Sequence, residues 1–205
     1  MAKLILASSS QYRRKLLARL QLPFECKSPD IDESPLANER PKDMVKRLSE
    51  AKARALSSEF SNHLIIGSDQ VAVLGGNSFL GENTDLDGKE LRTEVLTKPG
   101  SYEAAFKQLK SESGKRVRFL TGLALLNSQT NNIEVDIVTT EVEFRQLTDQ
   151  EISTYLHQDE PYDCAGSFKS EGLGITLFEG IYGKDPTALV GLPLIRLGEM
   201  LRSHN

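Results

Sequence analysis

Apolar residues along the chain follow two spacings, which predict alternating strands and helices. Short runs rich in Val, Ile, Leu and Phe are typical of strands, whereas apolar residues three and four positions apart are typical of amphipathic helices. The strand pattern falls at about residues 3–7, 24–28, 64–73, 117–127, 133–144 and 173–179. The helix pattern falls at about residues 11–21, 41–58, 101–111, 148–157 and 192–202. This early alternation of the two element types favours the α/β class.

Two long strands late in the chain are separated only by Asn127–Asn132, a polar segment typical of a hairpin turn. With the early alternation, this predicts a mixed twisted sheet with flanking helices, in a single domain that spans residues 1–205. Residues 75–97 are rich in Gly, Asn, Asp and Glu and show no clear period, which predicts a long exposed loop.

Composition and charge narrow the classes of function. The chain has 205 residues, 39% of them hydrophobic and 26% charged, which is typical of a globular protein. Its net charge of −4 argues against general nucleic-acid binding, which calls for a basic surface. We expect no membrane association, because no run is apolar for long enough to span a bilayer. Cys26 and Cys164 show no metal-binding spacing, so a cytoplasmic protein with reduced thiols is expected.

Asp69 is the most informative single residue. It interrupts the apolar, β-branched run 64–73, and burying a lone carboxylate costs several kcal/mol unless it is paired or bound to a metal. An alternative is a solvent-facing Asp at a strand end or bulge, which Gly67 would permit. We favour a functional role for Asp69, because the other polar clusters described below are consistent with parts of the same site.

The segment from Ser8 to Arg13 combines hydroxyls with the start of a helix. Serine is a good N-cap, and free backbone N–H groups at a helix start attract anions. Arg13 precedes Leu16 and Leu17 by three and four residues, so it shares the inward face of the helix. An inward arginine there opposes the helix dipole unless an anion lies between them. The pattern predicts a phosphate site, with capping serines and surface arginines as the alternative.

Further charged residues fit a polyphosphate ligand. The acidic run 30–33 is either solvated or supplies a carboxylate to a hard divalent cation. Lys52 follows Leu48 by four residues on the apolar stripe of a helix, so it either extends to solvent from the core edge or reaches into a cleft. Lys98 follows the long loop and could contact phosphate as a point charge.

Two glycine-containing segments complete the candidates. Residues 164–174 contain Glu171, which could accept hydrogen bonds from a ligand, although an ordinary hairpin corner would look the same. Gly191-Leu192-Pro193 is explained by the start of the last helix. A carboxylate pair, an anion cradle and two lysines together indicate a nucleoside triphosphate. The sequence has no GxxxxGK[ST] motif and no GxSxG motif.

As an ordered set, these segments closely resemble the Maf family of nucleoside triphosphate pyrophosphatases, once described as septum formation proteins. The resemblance runs essentially from end to end. The matching residues are Leu4-Ile5-Leu6-Ala7-Ser8-Ser9-Ser10, Arg13, Asp32-Glu33, Lys52-Ala53, Ile66-Gly67-Ser68-Asp69-Gln70, Lys98-Pro99, Thr121-Gly122, Ala165-Gly166, Glu171-Gly172 and Gly191-Leu192-Pro193.

The resemblance implies an α/β fold with two lobes around a central cleft, like that of inosine triphosphatases. It implies that Asp69 is the catalytic base and that Glu33 and Asp69 hold a divalent cation, Mg²⁺ or Mn²⁺. It further implies a cytoplasmic and often dimeric enzyme, with a possible role in cell division arrest. Ser8, Ser10, Arg13, Lys52 and Lys98 are then the predicted triphosphate-binding residues.

Within the family, residues 164–172 and 67–70 resemble the YceF subfamily, whose preferred substrate is 7-methyl-GTP. The resemblance implies that Tyr12, Gln70 and Glu171 set specificity, where the branch that prefers dTTP and UTP has Arg, Thr and Gln. A methylated guanine carries a positive ring charge, which Glu171 complements and which an aromatic such as Tyr12 can stack upon. The subfamily has Trp at the position of Tyr12.

Two alternatives remain at this stage. The chain could be a dTTP or UTP pyrophosphatase of the same family, or a non-catalytic nucleotide-binding regulator of septum formation. The stretch before Lys98 is also longer than is usual in the family, which makes Lys89 a second candidate for the phosphate-binding lysine.

Overall fold

The computed structural model of the protein describes residues 3–75 and 94–204, which form seven strands and five helices. The strands are β1 (Lys3–Ala7), β2 (Phe24–Lys27), β3 (His63–Leu74), β4 (Glu94–Leu96), β5 (Arg116–Asn127), β6 (Asn132–Phe144) and β7 (Phe178–Tyr182). The helices are α1 (Gln11–Ala18), α2 (Pro41–Ala55), α3 (Tyr102–Glu112), α4 (Asp149–Asp159) and α5 (Leu194–Arg202). None of these described helices is long and apolar enough to cross a membrane.

All seven strands belong to one mixed sheet, in the order β2-β1-β3-β5-β6-β7, with β4 also paired to β3. β1 pairs in parallel with both β2 and β3, whereas β4 and β7 pair antiparallel with β3 and β6. β5 and β6 are neighbours joined by a short turn, as the hairpin pattern predicted. The predicted α/β class, a mixed sheet with flanking helices, is confirmed.

Two predictions about local structure were wrong. Residues 94–96 were expected in the long loop, but they form β4, a strand too short to leave a periodic signal. Residues 173–179 were expected to be a strand, but Leu173–Leu177 form a 3₁₀ turn and β7 begins at Phe178. In that turn the Thr176 hydroxyl donates to the Leu173 carbonyl at 2.8 Å, a local bond that competes with strand pairing.

Contacts along the chain separate two compact units. The described residues of the first fall within Met1–Gln70, Leu120–Thr139 and Lys184–Asn205, and those of the second within Val71–Phe119 and Thr140–Gly183. That the whole of 1–205 acts as one domain with a central cleft stays a prediction.

The core of the first unit lies on both faces of β1 and β3. Because side chains alternate along a strand, Leu4 and Leu6 pack on one face with residues of α1 and α5, whereas Ile5 and Ala7 pack on the other with residues of α2. This sandwich fixes the end of β1, where the serine segment begins.

Helix α2 lies unusually close to the sheet because two glycines face it. A Cβ atom on Gly67 of β3 would lie 2.0 Å from the Ser49 carbonyl oxygen, and one on Gly122 of β5 would lie 2.4 Å from the Val45 carbonyl oxygen. No other residue fits at either position without moving the helix. Lys52 is on the same buried face of α2, so this close approach also brings its side chain against the sheet.

The second unit has an aromatic core. Phe168 makes edge-to-face contacts with three other phenylalanines, at centroid distances of 5.2 Å to Phe119, 5.7 Å to Phe144 and 4.7 Å to Phe178. Phe168 directly precedes the turn that carries Glu171, and its burial anchors that turn in the unit.

Candidate active site

Asp69 is buried and paired. Its residue is 7% exposed, and the Lys52 Nζ atom donates to its Oδ1 atom at 2.7 Å. The carboxylate is therefore neither solvent-facing nor alone, and the partner that a buried charge requires is the lysine from α2. Its assignment as catalytic base stays a prediction.

Lys52 links two carboxylates. It is 5% exposed, and besides Asp69 its Nζ atom contacts the Glu33 Oε1 atom at 3.0 Å. Of the two alternatives for Lys52, extension to solvent from the core edge is wrong, because the glycines at 67 and 122 let α2 approach the sheet until the ammonium is covered. The result is a carboxylate–ammonium–carboxylate series with the lysine at its centre.

The acidic run divides its roles between neighbouring residues. Asp32 accepts a hydrogen bond from the Ser34 backbone N–H at 2.9 Å, which closes a local turn, and bonds to Ser34 lower the pKa of this carboxyl. Glu33 points instead to Lys52, with its side chain 57% exposed. Within this acidic run, Glu33 therefore forms an ion pair with Lys52, whereas Asp32 stabilises a local turn.

Arg13 lies on the inward side of α1, as the helix phase predicted. Its Nε–H donates to the Gly191 carbonyl at 2.8 Å, and its Nη1 donates to the Ser8 hydroxyl at 3.4 Å. Burial lowers the pKa of Arg13, while the charges of Asp69 and Glu33 oppose that shift. The charges of the two carboxylates that contact Lys52 therefore also act on Arg13.

The serines at the start of α1 act as caps and keep a donor. The Ser10 side chain accepts from the Arg13 backbone N–H at 3.4 Å, and the Ser8 side chain accepts from the Ser10 backbone N–H at 3.1 Å. A hydroxyl has one O–H to donate besides its acceptor positions. Capping therefore leaves both hydroxyls able to donate to an anion.

Gln70 is bonded within its own unit. Its Nε2 atom has two N–H donors, which are shared among the Ala188 carbonyl at 2.9 Å, the Leu189 carbonyl at 3.1 Å and the Thr121 hydroxyl at 2.9 Å. Its amide nitrogen is fully used by these acceptors, which leaves the amide oxygen as the group that could meet a ligand. The proposed role of Gln70 in specificity stays a prediction.

The second unit holds the remaining candidates. Lys98 is exposed in the segment between β4 and α3, and Glu171 is exposed in the turn between Ala165–Ser167 and Leu173–Leu177. Lys169 ties that turn to α4, because its Nζ atom donates to the Asp159 carbonyl at 2.5 Å and its backbone N–H donates to the Tyr155 hydroxyl at 3.0 Å. Lys89 lies outside the described residues.

The residues that could hold a cation are two carboxylates. Among residues 3–75 and 94–204, no group of three or more His, Cys, Asp or Glu side chains is arranged to hold a metal ion. Glu33 and Asp69 nevertheless converge on one cation, the Lys52 ammonium. A pair of carboxylates completed by phosphate oxygens is the usual protein contribution to a Mg²⁺ site, so the donor set fits a hard divalent ion and does not fit zinc.

Comparison with known proteins assigns the chain to a family. A family model described as a Maf-like protein matches residues 3–204. The chain belongs to the Maf family. Three relatives named 7-methyl-GTP pyrophosphatase match nearly the whole chain. Those from Pseudomonas savastanoi pv. phaseolicola and Pseudomonas aeruginosa are 54% and 53% identical over 201 residues, covering 98% of this chain and 96% of each relative.

The third relative, from Nitrosococcus oceani, is 50% identical over 198 residues, covering 97% of this chain and 91% of its own. Among solved structures, a HAM1 protein from Coxiella burnetii aligns with a TM-score of 0.41 and 16% identity, over 72% of this chain and 75% of that one. A likeness at that level does not establish a common fold.

In this Maf-family chain, the first unit holds eight of the predicted site residues, namely Ser8, Ser10, Tyr12, Arg13, Glu33, Lys52, Asp69 and Gln70, and the second holds Lys98 and Glu171. Sequence reasoning missed the carbonyl groups of Ala188, Leu189 and Gly191, which accept from Gln70 and Arg13. The only signal was Gly191-Leu192-Pro193, interpreted as a helix start. It also missed Asp185, a buried carboxylate in a segment that had no candidate function.

Proposed function

We propose that this protein is a nucleoside triphosphate pyrophosphatase that hydrolyses 7-methyl-GTP to 7-methyl-GMP and pyrophosphate. The observation that carries the proposal is the charged cluster of the first unit, in which Lys52 contacts both Asp69 and Glu33, and Arg13 is bonded to the Gly191 carbonyl and the Ser8 hydroxyl. Two cations suit a polyphosphate, and two carboxylates suit a divalent cation and a water nucleophile. The substrate is proposed from the relatives, which are named 7-methyl-GTP pyrophosphatase and match this chain over nearly their full length.

In the proposed reaction, Asp69 accepts a proton from a water molecule whose oxygen attacks the α-phosphorus of the triphosphate. The new P–O bond forms as the bridging P–O bond breaks, and pyrophosphate leaves with the bridging oxygen. Lys52 holds Asp69 in a fixed orientation through the 2.7 Å contact, so the carboxylate does not need to reorganise during the reaction.

We propose that the phosphates are bound by Arg13, Lys52, Lys98 and the hydroxyls of Ser8 and Ser10. Besides the bonds of Nε to the Gly191 carbonyl and of Nη1 to the Ser8 hydroxyl, the guanidinium of Arg13 has further N–H donors that can bind an anion. Glu33 and Asp69 would hold Mg²⁺ or Mn²⁺, which when bound neutralises the charge on the phosphate oxygens.

Tyr12, Gln70 and Glu171 are proposed to select the base. Glu171 offers a carboxylate to the N–H groups of a cationic 7-methylguanine, and Tyr12 offers a stacking face. We also propose a cytoplasmic enzyme that acts on free nucleotides rather than on nucleic acid and that works as a homodimer.

Product analysis tests the reaction. With 7-methyl-GTP and Mg²⁺, the protein should release pyrophosphate and the monophosphate in equal amounts, and excess chelator should stop the release until Mg²⁺ is restored. Asp69→Asn should remove most turnover, whereas Asp149→Asn, a matched change in an exposed ion pair, should not. Nucleotide binding without pyrophosphate release from any triphosphate would favour the alternative of a non-catalytic nucleotide-binding regulator. Full activity in Asp69→Asn would refute the proposal that Asp69 is the catalytic base.

A further inference from the structure

Residues 188–191 present backbone oxygens to two predicted site residues, and we call this segment the carbonyl turn. It consists of the 3₁₀ turn Ala188–Val190 followed by Gly191. The carbonyls of Ala188 and Leu189 accept from the Gln70 amide, and the carbonyl of Gly191 accepts from Arg13 Nε. The carbonyl turn therefore fixes one side chain proposed to bind phosphate and one proposed to select the base.

Further bonds join the carbonyl turn to the sheet. The Thr121 hydroxyl donates to the Ala188 carbonyl at 2.9 Å. The single O–H of Ser68 is shared between the Gly191 carbonyl at 2.9 Å and the Gly122 carbonyl at 2.8 Å. Gly191 has φ +102°, and a Cβ atom on it would lie 3.3 Å from Arg13 Nε, so glycine lets the arginine lie against the backbone. The turn accordingly has a defined conformation with its oxygens pointing at their donors.

Asp185 holds both ends of the segment that contains the carbonyl turn. It is 2% exposed, and its Oδ1 atom accepts from the backbone N–H of Thr187 at 3.0 Å and from its hydroxyl at 2.5 Å. Its Oδ2 atom accepts from the Ile195 backbone N–H at 2.7 Å, in the first turn of α5. Thr187 adds a second closure, since its hydroxyl accepts from the Leu194 backbone N–H at 2.8 Å. The Asp185 carboxylate thus joins Thr187, just before the carbonyl turn, to Ile195, just after it.

Capping of α5 alone does not account for this arrangement. A helix is usually capped by the side chain at its own N-cap position, yet here that residue is Pro193, which makes no side-chain bond. The cap comes instead from a residue on the far side of the turn, and the loop that it closes contains the Ala188 and Leu189 carbonyls, which accept from Gln70, and the Gly191 carbonyl, which accepts from Arg13.

We propose that Asp185 is a positioning residue for the active site, acting through the carbonyl turn on the phosphate contact of Arg13 and on the setting of Gln70. The proposal rests on the proposed function for the identity of what Arg13 and Gln70 bind. The carboxylate is buried, and both of its oxygens accept from neutral donors. Asp185 acts by fixing the positions of the Arg13 and Gln70 side chains.

The test compares four variants. Asp185→Asn keeps the shape but presents an amide NH₂ to N–H donors, and Thr187→Val keeps the shape but removes both hydroxyl bonds. Thr187→Ser restores the hydroxyl and serves as the conservative rescue. Arg196→Ala is the control, because it loosens α5 from Glu134 and Asp136 of β6 without touching the carbonyl turn.

Two measurements are made on each variant. The first is KM and kcat for the triphosphate that the parent hydrolyses best, together with the affinity for inorganic triphosphate by calorimetry. The second is the side-chain Nε–H signal of Arg13 by NMR, assigned from its loss in Arg13→Lys, which needs no turnover. This second measurement separates a failure of the positioning role from a failure of the proposed reaction.

For Asp185→Asn and Thr187→Val, KM and the triphosphate dissociation constant should rise about tenfold or more, with a smaller change in kcat, because a charge-assisted contact is misplaced. The Arg13 Nε–H signal should shift and exchange faster with water. Thr187→Ser and Arg196→Ala should keep the parent values even if their thermal stability falls. A folded Asp185→Asn protein with parent triphosphate affinity and an unchanged Arg13 signal would overturn the proposal.

Discussion

Replacing Lys52 by Met tests whether the buried ion pair organises the first unit. The substitution keeps most of the side-chain volume but removes the ammonium that contacts both Asp69 and Glu33. The side chains of Lys52 and Asp69 are 6% and 10% exposed, so water cannot replace the lost partner of Asp69. Glu33, with its side chain 57% exposed, can be solvated and should contribute little to the loss.

The expected magnitude follows from that difference in burial. Removing one member of a buried pair costs about 3–5 kcal/mol, because the other charge is left uncompensated. For a chain of this length that corresponds to a fall in Tm of roughly 6–20 °C. The double variant Lys52→Met/Asp69→Asn removes both charges, so its loss should be smaller than the sum of the two single losses by about 1–3 kcal/mol.

Urea unfolding followed by circular dichroism measures these free energies, and Lys110→Met provides the matched control. Lys110 contacts Asp149 at 2.9 Å, but the two side chains are 59% and 64% exposed. Solvent screens such a pair, so the control should lose less than about 1 kcal/mol. Equal losses for Lys52→Met and Lys110→Met, or additive losses in the double variant, would refute the reasoning.

Three further predictions concern the close packing of α2 on the sheet, the buried carboxyl of Glu112 and the proposed phosphate contact of Arg13. Gly67→Ala should destabilise the protein far more than Gly100→Ala in thermal unfolding, since the first Cβ meets a helix carbonyl at 2.0 Å and the second, at φ +73°, meets nothing within 4 Å. Burial, with a nearby carboxylate adding to it, raises the pKa of Glu112 well above its ordinary value, so ionisation costs stability as the pH rises. Glu112→Gln should therefore be more stable than the parent at neutral and alkaline pH and equal to it near about pH 3 in urea titrations. Arg13→Ala should raise KM for the triphosphate at least about tenfold while Arg14→Ala leaves it unchanged, and equal effects would contradict the observed orientation of α1.

The sequence was most informative where the local period decides the structure. The spacing of Arg13 to Leu16 and Leu17 was enough to predict its inward orientation, because helix geometry relates neighbouring turns directly. Likewise, an apolar run that contains Asp69 implied a partner for the carboxylate, although it did not name that partner. The strand positions of β1, β2, β3, β5 and β6 followed from the same local signals.

What escaped prediction depends on contacts between distant segments. Gly67 was interpreted as permitting a bulge, whereas its lack of a side chain is what lets α2 reach the sheet and bury Lys52. Asp185 was not among the candidates, because its carboxylate bonds to two backbone N–H groups and one hydroxyl, and such bonds leave no pattern in the sequence. The strand β4 and the turn Leu173–Leu177 were missed because short elements carry too few residues for a period.

The most direct test of the central claim is the ratio of kcat/KM for 7-methyl-GTP to that for GTP, dTTP and UTP, measured by pyrophosphate release. A stacked cationic base and a charge-assisted hydrogen bond to Glu171 should together give a preference of about tenfold or more over each competitor. Glu171→Gln should reduce the preference over GTP, and Tyr12→Trp should increase it if stacking is limiting. A kcat/KM for dTTP or UTP equal to that for 7-methyl-GTP in the parent protein would contradict the proposed substrate.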